Sequence, residues 1–161
     1  MVNLSVKRKV WLGIILELVI FLFLAIKLGK LEKAEFVYLE NNNNFVELVR
    51  VVDGDTIEVK MGDKVESVRL IGIDAPEMDE KTKEKAIESK QYLESLLKNQ
   101  KIYLEGDETQ DDRDVYNRLL RYVYLEDRTL VNKKMIEAKM ADEYTFISPY
   151  KFQKEFREID N

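Results

Sequence analysis

Val51–Glu77 reads VVDGDTIEVKMGDKVESVRLIGIDAPE, and the reading of this stretch decides the fold. Within it, TIEVKM (Thr56–Met61) sets Ile57, Val59 and Met61 against Thr56, Glu58 and Lys60, the period of a half-buried strand. Gly62-Asp63 turns the chain, and VESVRLIGI (Val65–Ile73) returns. With that dipeptide at the tip, Met61 pairs with Lys64, Thr56 falls opposite Arg69, and Asp55 falls opposite Leu70. Asp55 and Arg69 are then diagonal neighbours, close enough to interact. Asp74 lies four residues beyond the pairing, roughly 13 Å along a straight strand. It reaches Asp55 only if the sheet coils strongly, as in a small barrel, with Gly72 permitting a kink or bulge.

Working outward, FVELVRVV (Phe45–Val52) reads as a strand before the hairpin. A helix is expected from about Asp79 to Lys98, with Ala86, Tyr92, Leu93, Leu96 and Leu97 on one face. KIYLEG (Lys101–Gly106) is a fourth strand, and LLRYVYL (Leu119–Leu125) a fifth. Thr129 could cap a short helix to about Lys139, and Ser148-Pro149 could open a last one to Ile159. Three strands, a helix, two strands and two helices make an α+β domain. A five-stranded OB-fold β-barrel with about three helices fits that order.

The 161 residues carry a net charge of −5 with no Cys and no His. Disulfides, zinc ribbons, thiol nucleophiles and His-based acid–base pairs are thereby excluded. The charge is unevenly placed. Lys7, Arg8, Lys9, Lys27 and Lys30 face Glu17 alone in residues 1–30, so the rest is more acidic than the whole. An acidic body is a poor diffuse grip on nucleic acid. It leaves room for a phosphodiester held by a metal ion and a few placed arginines.

VWLGIILELVIFLFLAI (Val10–Ile26) is almost continuously apolar, and basic residues precede it. The sequence lacks an A-x-A site after the run, which favours an uncleaved anchor over a cleaved signal. Residues 1–26 are thus expected to form a transmembrane helix in a lipid bilayer, 27–44 a linker closed by NNNN, and 45–161 the folded domain. Compact KRK before the span places the amino terminus inside and the domain outside the cytoplasm. Secretion after signal cleavage is the alternative. The body is expected to be monomeric.

If the barrel coils as required, Asp55 and Asp74 could bind one hard cation, with the Ala75 carbonyl and waters completing its shell. Pro76 would set the distance at which Glu77 returns to orient or deprotonate a water. Arg69 would offer a fork of donors to phosphate. The plain alternative stands beside this one. Asp-Gly-Asp is ordinary turn chemistry, Asp-Ala-Pro-Glu an ordinary strand exit, and Arg69 a simple partner for Asp55.

Together VVDGDTIEV and VRLIGIDAPE, followed by DVYNRLLRYVYL and TLVNKKMIEAKMA, resemble the staphylococcal nuclease-like, or thermonuclease, family. Order and spacing agree across about Phe45 to Phe146. The resemblance implies an OB-fold barrel carrying a Ca2+-dependent phosphodiesterase that cuts DNA and RNA to products with a 3′-phosphate. It implies Asp55, Asp74 and the Ala75 carbonyl as metal ligands, with Asp53 an acidic residue behind them. It implies Glu77 as general base, Arg69 and Arg118 as the phosphate-binding arginines, and Tyr116 as a nucleotide contact. Departures are Val115 in place of a basic residue, Asn117 and Lys139 in place of Gly, Arg121 in place of a small residue, and an unmatched tail after Phe146. The other readings are a non-catalytic OB module that binds nucleic acid and a structural domain on the membrane.

GDETQDDRD (Gly106–Asp114) fails as an EF-hand, since Asp112 stands where Gly is needed and Arg118 where Glu is needed. It reads as a solvated loop, with Asp114 bracing the arginine turn. Tyr103, Tyr122 and Tyr124 are expected to pack rather than stack bases, and Lys133, Lys134 and Lys139 to form a wet helix face.

Overall fold

The computed structural model describes residues 45–161, with Lys27 alone ahead of them. The expected anchor and linker lie outside the described residues. Among those described, no helix is long and apolar enough to cross a membrane.

The strands β1 (Phe45–Val51), β2 (Thr56–Met61), β3 (Lys64–Leu70), β5 (Ile102–Glu105) and β6 (Leu119–Leu125) form a closed barrel in the order β1-β2-β3-β6-β5. The hairpin has the expected register, from Met61↔Lys64 to Thr56↔Arg69, around Gly62 at φ +63°. Antiparallel pairing of Phe45↔Tyr103 and Val46↔Ile102 closes the barrel on one side. On the other, β3 runs parallel to β6, with Val68↔Leu119 and Leu70↔Arg121. Ile57, Val59, Val68, Leu70, Ile102 and Val123 are buried in the core. Each such side chain contributes about 1.5–3 kcal/mol by leaving water. Met61 shares their strand face, but at the hairpin tip it is 41% exposed.

Three helices cover the barrel: α1 (Lys83–Leu97), α2 (Val131–Glu137) and α3 (Gln153–Asp160). Ala86, Ser89, Leu93 and Leu97 form the buried stripe of α1, while Tyr92 and Leu96 flank it half-buried. Asn99 at φ +59° ends that helix in the left-handed conformation.

Several boundaries differ from expectation. The third strand does not run to Ile73. It stops at Leu70, turns at Ile71-Gly72 and resumes as β4 (Ile73–Asp74), which pairs with β7 (Asp142–Glu143). Gly72 adopts φ +80°, and a Cβ there would lie 2.8 Å from the Tyr150 ring, so only glycine fits the turn. Helix α1 starts at Lys83, because the Asp79 carboxylate takes the N–H groups of Lys81 and Thr82 for a turn of its own. Leu130, not Thr129, precedes α2. Ser148-Pro149 is a cis peptide, and α3 begins only at Gln153.

The tail after Phe146, which the resemblance left unmatched, packs on the barrel. Phe152 meets Tyr122 edge-on at 4.8 Å and stacks on Phe156 at 5.7 Å. Tyr103 and Tyr122 are fully buried and Tyr124 half-buried, as packing side chains. Lys139 holds the Schellman turn after α2 at φ +57°, with its N–H on the Ile136 carbonyl and that of Met140 on Met135. Its Nζ reaches the Asp160 carbonyl at 2.8 Å, satisfying the end of α3.

Candidate active site

The turn at Gly72 solves the distance problem in the sequence. It folds the chain back so that the Ala75 N–H donates to Asp55 Oδ2 at 2.8 Å. Arg69 then spans both acids. Its Nη1 lies 3.2 Å from Asp55 Oδ2, and its Nη2 donates to Asp74 Oδ1 at 2.7 Å. Nη1 also donates to the Ile73 carbonyl at 2.8 Å, so one guanidinium holds β3 to β4.

Asp55 is 7% exposed. The Thr56 hydroxyl donates to its Oδ1 at 2.9 Å, and the Asp55 N–H donates to Asp53 Oδ1 at 3.1 Å. Burial pushes the Asp55 carboxyl up to about 6, although Arg69, the Ala75 N–H and Thr56 pull the other way. Gly54 makes this loop possible. A Cβ there would stand 1.9 Å from Ser89 Oγ and 2.6 Å from the Ala75 Cβ, so α1 packs directly on the loop.

Arg118 arrives from the start of β6. Asp114 accepts from its backbone N–H at 2.9 Å and from its Nε at 2.6 Å. Burial disfavours the Asp114 charge, but the bonds and charge of Arg118 outweigh it and hold the carboxyl below its ordinary value. Asn117 supplies the left-handed residue in this loop at φ +66°. Arg118 Nη1 reaches Thr56 Oγ1 at 3.4 Å, and its guanidinium lies 5.3 Å from the centre of the Tyr116 ring.

Two cavities meet at the arginines. The first, about 350 Å³, is lined by Asp53, Asp55, Asp74 and Glu77 together with Arg69 and Arg118. The second, about 180 Å³, shares both arginines but is walled by Tyr116, Tyr144, Phe146 and Tyr150. All eight residues singled out in the sequence therefore line one cavity or the other. Among the described residues, no three acidic side chains gather tightly enough to hold a metal ion by themselves.

Three contributors were not visible in the sequence. Tyr144 (45% exposed) and Phe146 (67%) present open rings just beyond the two-residue β7. Asn132, beside the expected wet face of Lys133 and Lys134, is fully buried. Its Oδ1 accepts from the Val123 N–H and its Nδ2 donates to the Ile71 carbonyl, both at 2.9 Å. It thus ties β6 to the turn before Asp74. A polar residue on the apolar side of a short helix was the only available signal. Arg121, a departure noted in the sequence, holds the acidic loop through Asp112 Oδ1 at 2.6 Å.

A closed five-stranded barrel of the OB type, with buried acid and two arginines at one cleft, defines the class. The staphylococcal nuclease homologue family matches residues 67–161, and the chain belongs to that family. It is 33% identical over 115 residues to "Thermonuclease" of Staphylococcus hyicus, covering 70% of this chain and 66% of that one. It is 38% identical over 94 residues to an "Uncharacterized endonuclease" of Escherichia coli O157:H7, covering 58% and 57%. It is 31% identical over 115 residues to the SPbeta prophage-derived endonuclease YokF of Bacillus subtilis (strain 168), covering 70% and 38%. The chain thus spans less than two thirds of each of these relatives' own lengths.

Proposed function

We propose that this chain is a Ca2+-dependent nuclease that hydrolyses phosphodiester bonds of DNA or RNA. One observation carries the reading: Arg69 and Arg118 line both an acidic cleft and an aromatic one. A polyanion whose bases stack on the aromatic side would lay its phosphate between the two arginines. The thermonuclease and endonuclease relatives support the same class.

The donor set suits a hard cation. The acidic side chains of the cleft, Asp53, Asp55, Asp74 and Glu77, all offer oxygen, with the Met78 thioether the one soft group in the lining, and Asp55 carries a charge that burial leaves poorly compensated. Asp55, Asp74 and the Ala75 carbonyl would hold the ion, with Asp53 oriented behind them by the Asp55 N–H. Such an ion offsets charge on the phosphoryl oxygens. Water would complete its shell, since the side chains present cannot.

Glu77 takes a proton from the attacking water as its oxygen bonds to phosphorus. The P–O5′ bond breaks, the phosphate stays on the 3′ side, and the leaving oxygen takes up a proton from solvent water. Arg69 and Arg118 stabilise the charge that builds on the equatorial oxygens. Arg118 is pre-aligned by Asp114, whereas Arg69 must share its donors between Asp74 and the phosphate.

The apolar stretch Val10–Ile26 supports attachment of the domain to a membrane, facing out of the cytoplasm. Protease added to intact cells should then digest the domain; protection would remove that placement. For the activity, the full chain is incubated with single-stranded DNA and Ca2+, then with chelator. Cleavage with Ca2+ and none with chelator is expected. Cleavage that survives chelation removes the metal, and binding without cleavage favours a binding module.

A further inference from the structure

Glu77 opens on the acidic cleft, yet its carboxylate has no hydrogen-bond or ion-pair partner among the described residues. Its backbone alone sets where it stands. Upstream, Pro76 fixes one torsion and the Ala75 N–H is bound to Asp55. Downstream, two side chains close a clamp. The Thr82 hydroxyl lies 2.7 Å from the Glu77 carbonyl and 2.7 Å from Asp79 Oδ1. It has one proton, so the two acceptors share it. Asp79 Oδ1 also accepts from the N–H groups of Lys81 and Thr82, at 2.8 and 2.9 Å. The Asp79 N–H in turn donates to the Glu77 carbonyl at 2.9 Å.

Thr82 occupies the position before the first residue of α1, where a threonine hydroxyl ordinarily caps the helix. Its side chain makes no capping bond there. The hydroxyl points back to Glu77, forgoing a bond generally worth about 1 kcal/mol to a helix. A residue that served the helix would point the other way.

We propose that Thr82 and Asp79 are positioning residues that hold Glu77 at its working distance from the cleft. This rests on the reading of Glu77 as the base. The clamp substitutes a six-residue turn, Glu77 to Thr82, for side-chain support of the carboxylate. Misplacing a reacting group by about 1 Å costs up to about a hundredfold in rate.

The test uses the full chain, with kcat, KM for single-stranded DNA, the Ca2+ concentration at half activity and the unfolding midpoint measured for each variant. Thr82→Val keeps the shape and removes the hydroxyl; Thr82→Ser keeps the hydroxyl. Expected is a fall in kcat of about tenfold or more for Thr82→Val, with KM, Ca2+ response and midpoint unchanged, and near wild-type kcat for Thr82→Ser. Asp79→Ala should fall as Thr82→Val does. A Thr82→Val kcat equal to wild type overturns the proposal, and so does a Thr82→Ser kcat as low as that of Thr82→Val. Loss of folding in Thr82→Val overturns it too, because the clamp would then hold the fold rather than Glu77. Glu77→Gln run in parallel separates the two ideas. If it keeps wild-type kcat, the base reading fails and the clamp with it; if only the Thr82 and Asp79 variants keep it, the clamp alone fails.

Discussion

Asp55 gives the metal-free protein a pH dependence that can be isolated. Burial raises its carboxyl from 3.8 to about 6. Between those values the folded chain holds a proton that the unfolded chain releases, so stability falls as pH rises from about 4 to 6. A shift of two units at about 1.4 kcal/mol each makes this loss about 3 kcal/mol by pH 7. Asp55→Asn removes the titration. The asparagine oxygen can still take the Oδ2 place, facing both the Ala75 N–H and Arg69, while its amide nitrogen takes the Oδ1 place and the Thr56 hydroxyl must turn from donor to acceptor, at a cost of about 1 kcal/mol. That cost does not vary with pH. The stability of the variant minus that of wild type should therefore rise by about 2 kcal/mol between pH 4 and pH 7, whatever its offset. Carboxyls held low, such as Asp114, contribute stability that is lost as pH falls through their folded values, and they cancel in the difference. The assay is urea unfolding followed by circular dichroism, in chelator, at half-unit steps of pH. A difference that stays flat or declines over that range would refute the reasoning about Asp55. Added Ca2+ should stabilise wild type above pH 6 and leave the variant unmoved.

Glu77→Gln should lower kcat by about 10²–10⁴, the usual contribution of a general base, with little change in the unfolding midpoint. Tyr144→Ala with Phe146→Ala should raise KM for single-stranded DNA by about tenfold or more, since stacking is worth about 1–3 kcal/mol per base; unchanged KM would remove the aromatic cavity from substrate binding. Lys139→Ala keeps the positive φ and loses the bond to α3, so it should unfold more easily by about 1–2 kcal/mol. Lys139→Gly loses the same bond but relieves the backbone, and should lie close to wild type in urea titrations.

The hairpin was legible because a two-residue turn and strict alternation leave one register, and Met61↔Lys64 through Thr56↔Arg69 followed from it. The five-stranded barrel was expected from the order of elements, but the residues that close it were not, since Phe45↔Tyr103 joins positions far apart in sequence with no local signal. Gly72 announced a bend, but not that β4 would find a partner in β7. The arginine turn was readable from Asp114 and Asn117 because both act within four residues of Arg118. Helix α1 was placed one turn early because Asp79 looked like a helix start and instead serves the turn before it. The role of Asn132 was not legible for a related reason: what it bonds, Ile71 and Val123, lies on other elements.

Asn132 also divides the site kinetically. The turn before Asp74 is bolted through that side chain to the centre of β6, inside the apolar core. Its amides, and that of Ala75, can exchange with solvent only when much of the domain opens. The loop bearing Tyr116 is bonded mainly to itself through Asp114 and lies at the surface, so it can open while the core stays shut. Hydrogen exchange should therefore find slow amides on the acidic wall of the cleft and fast ones on the opposite lip, and a strand of nucleic acid would enter past the lip that gives.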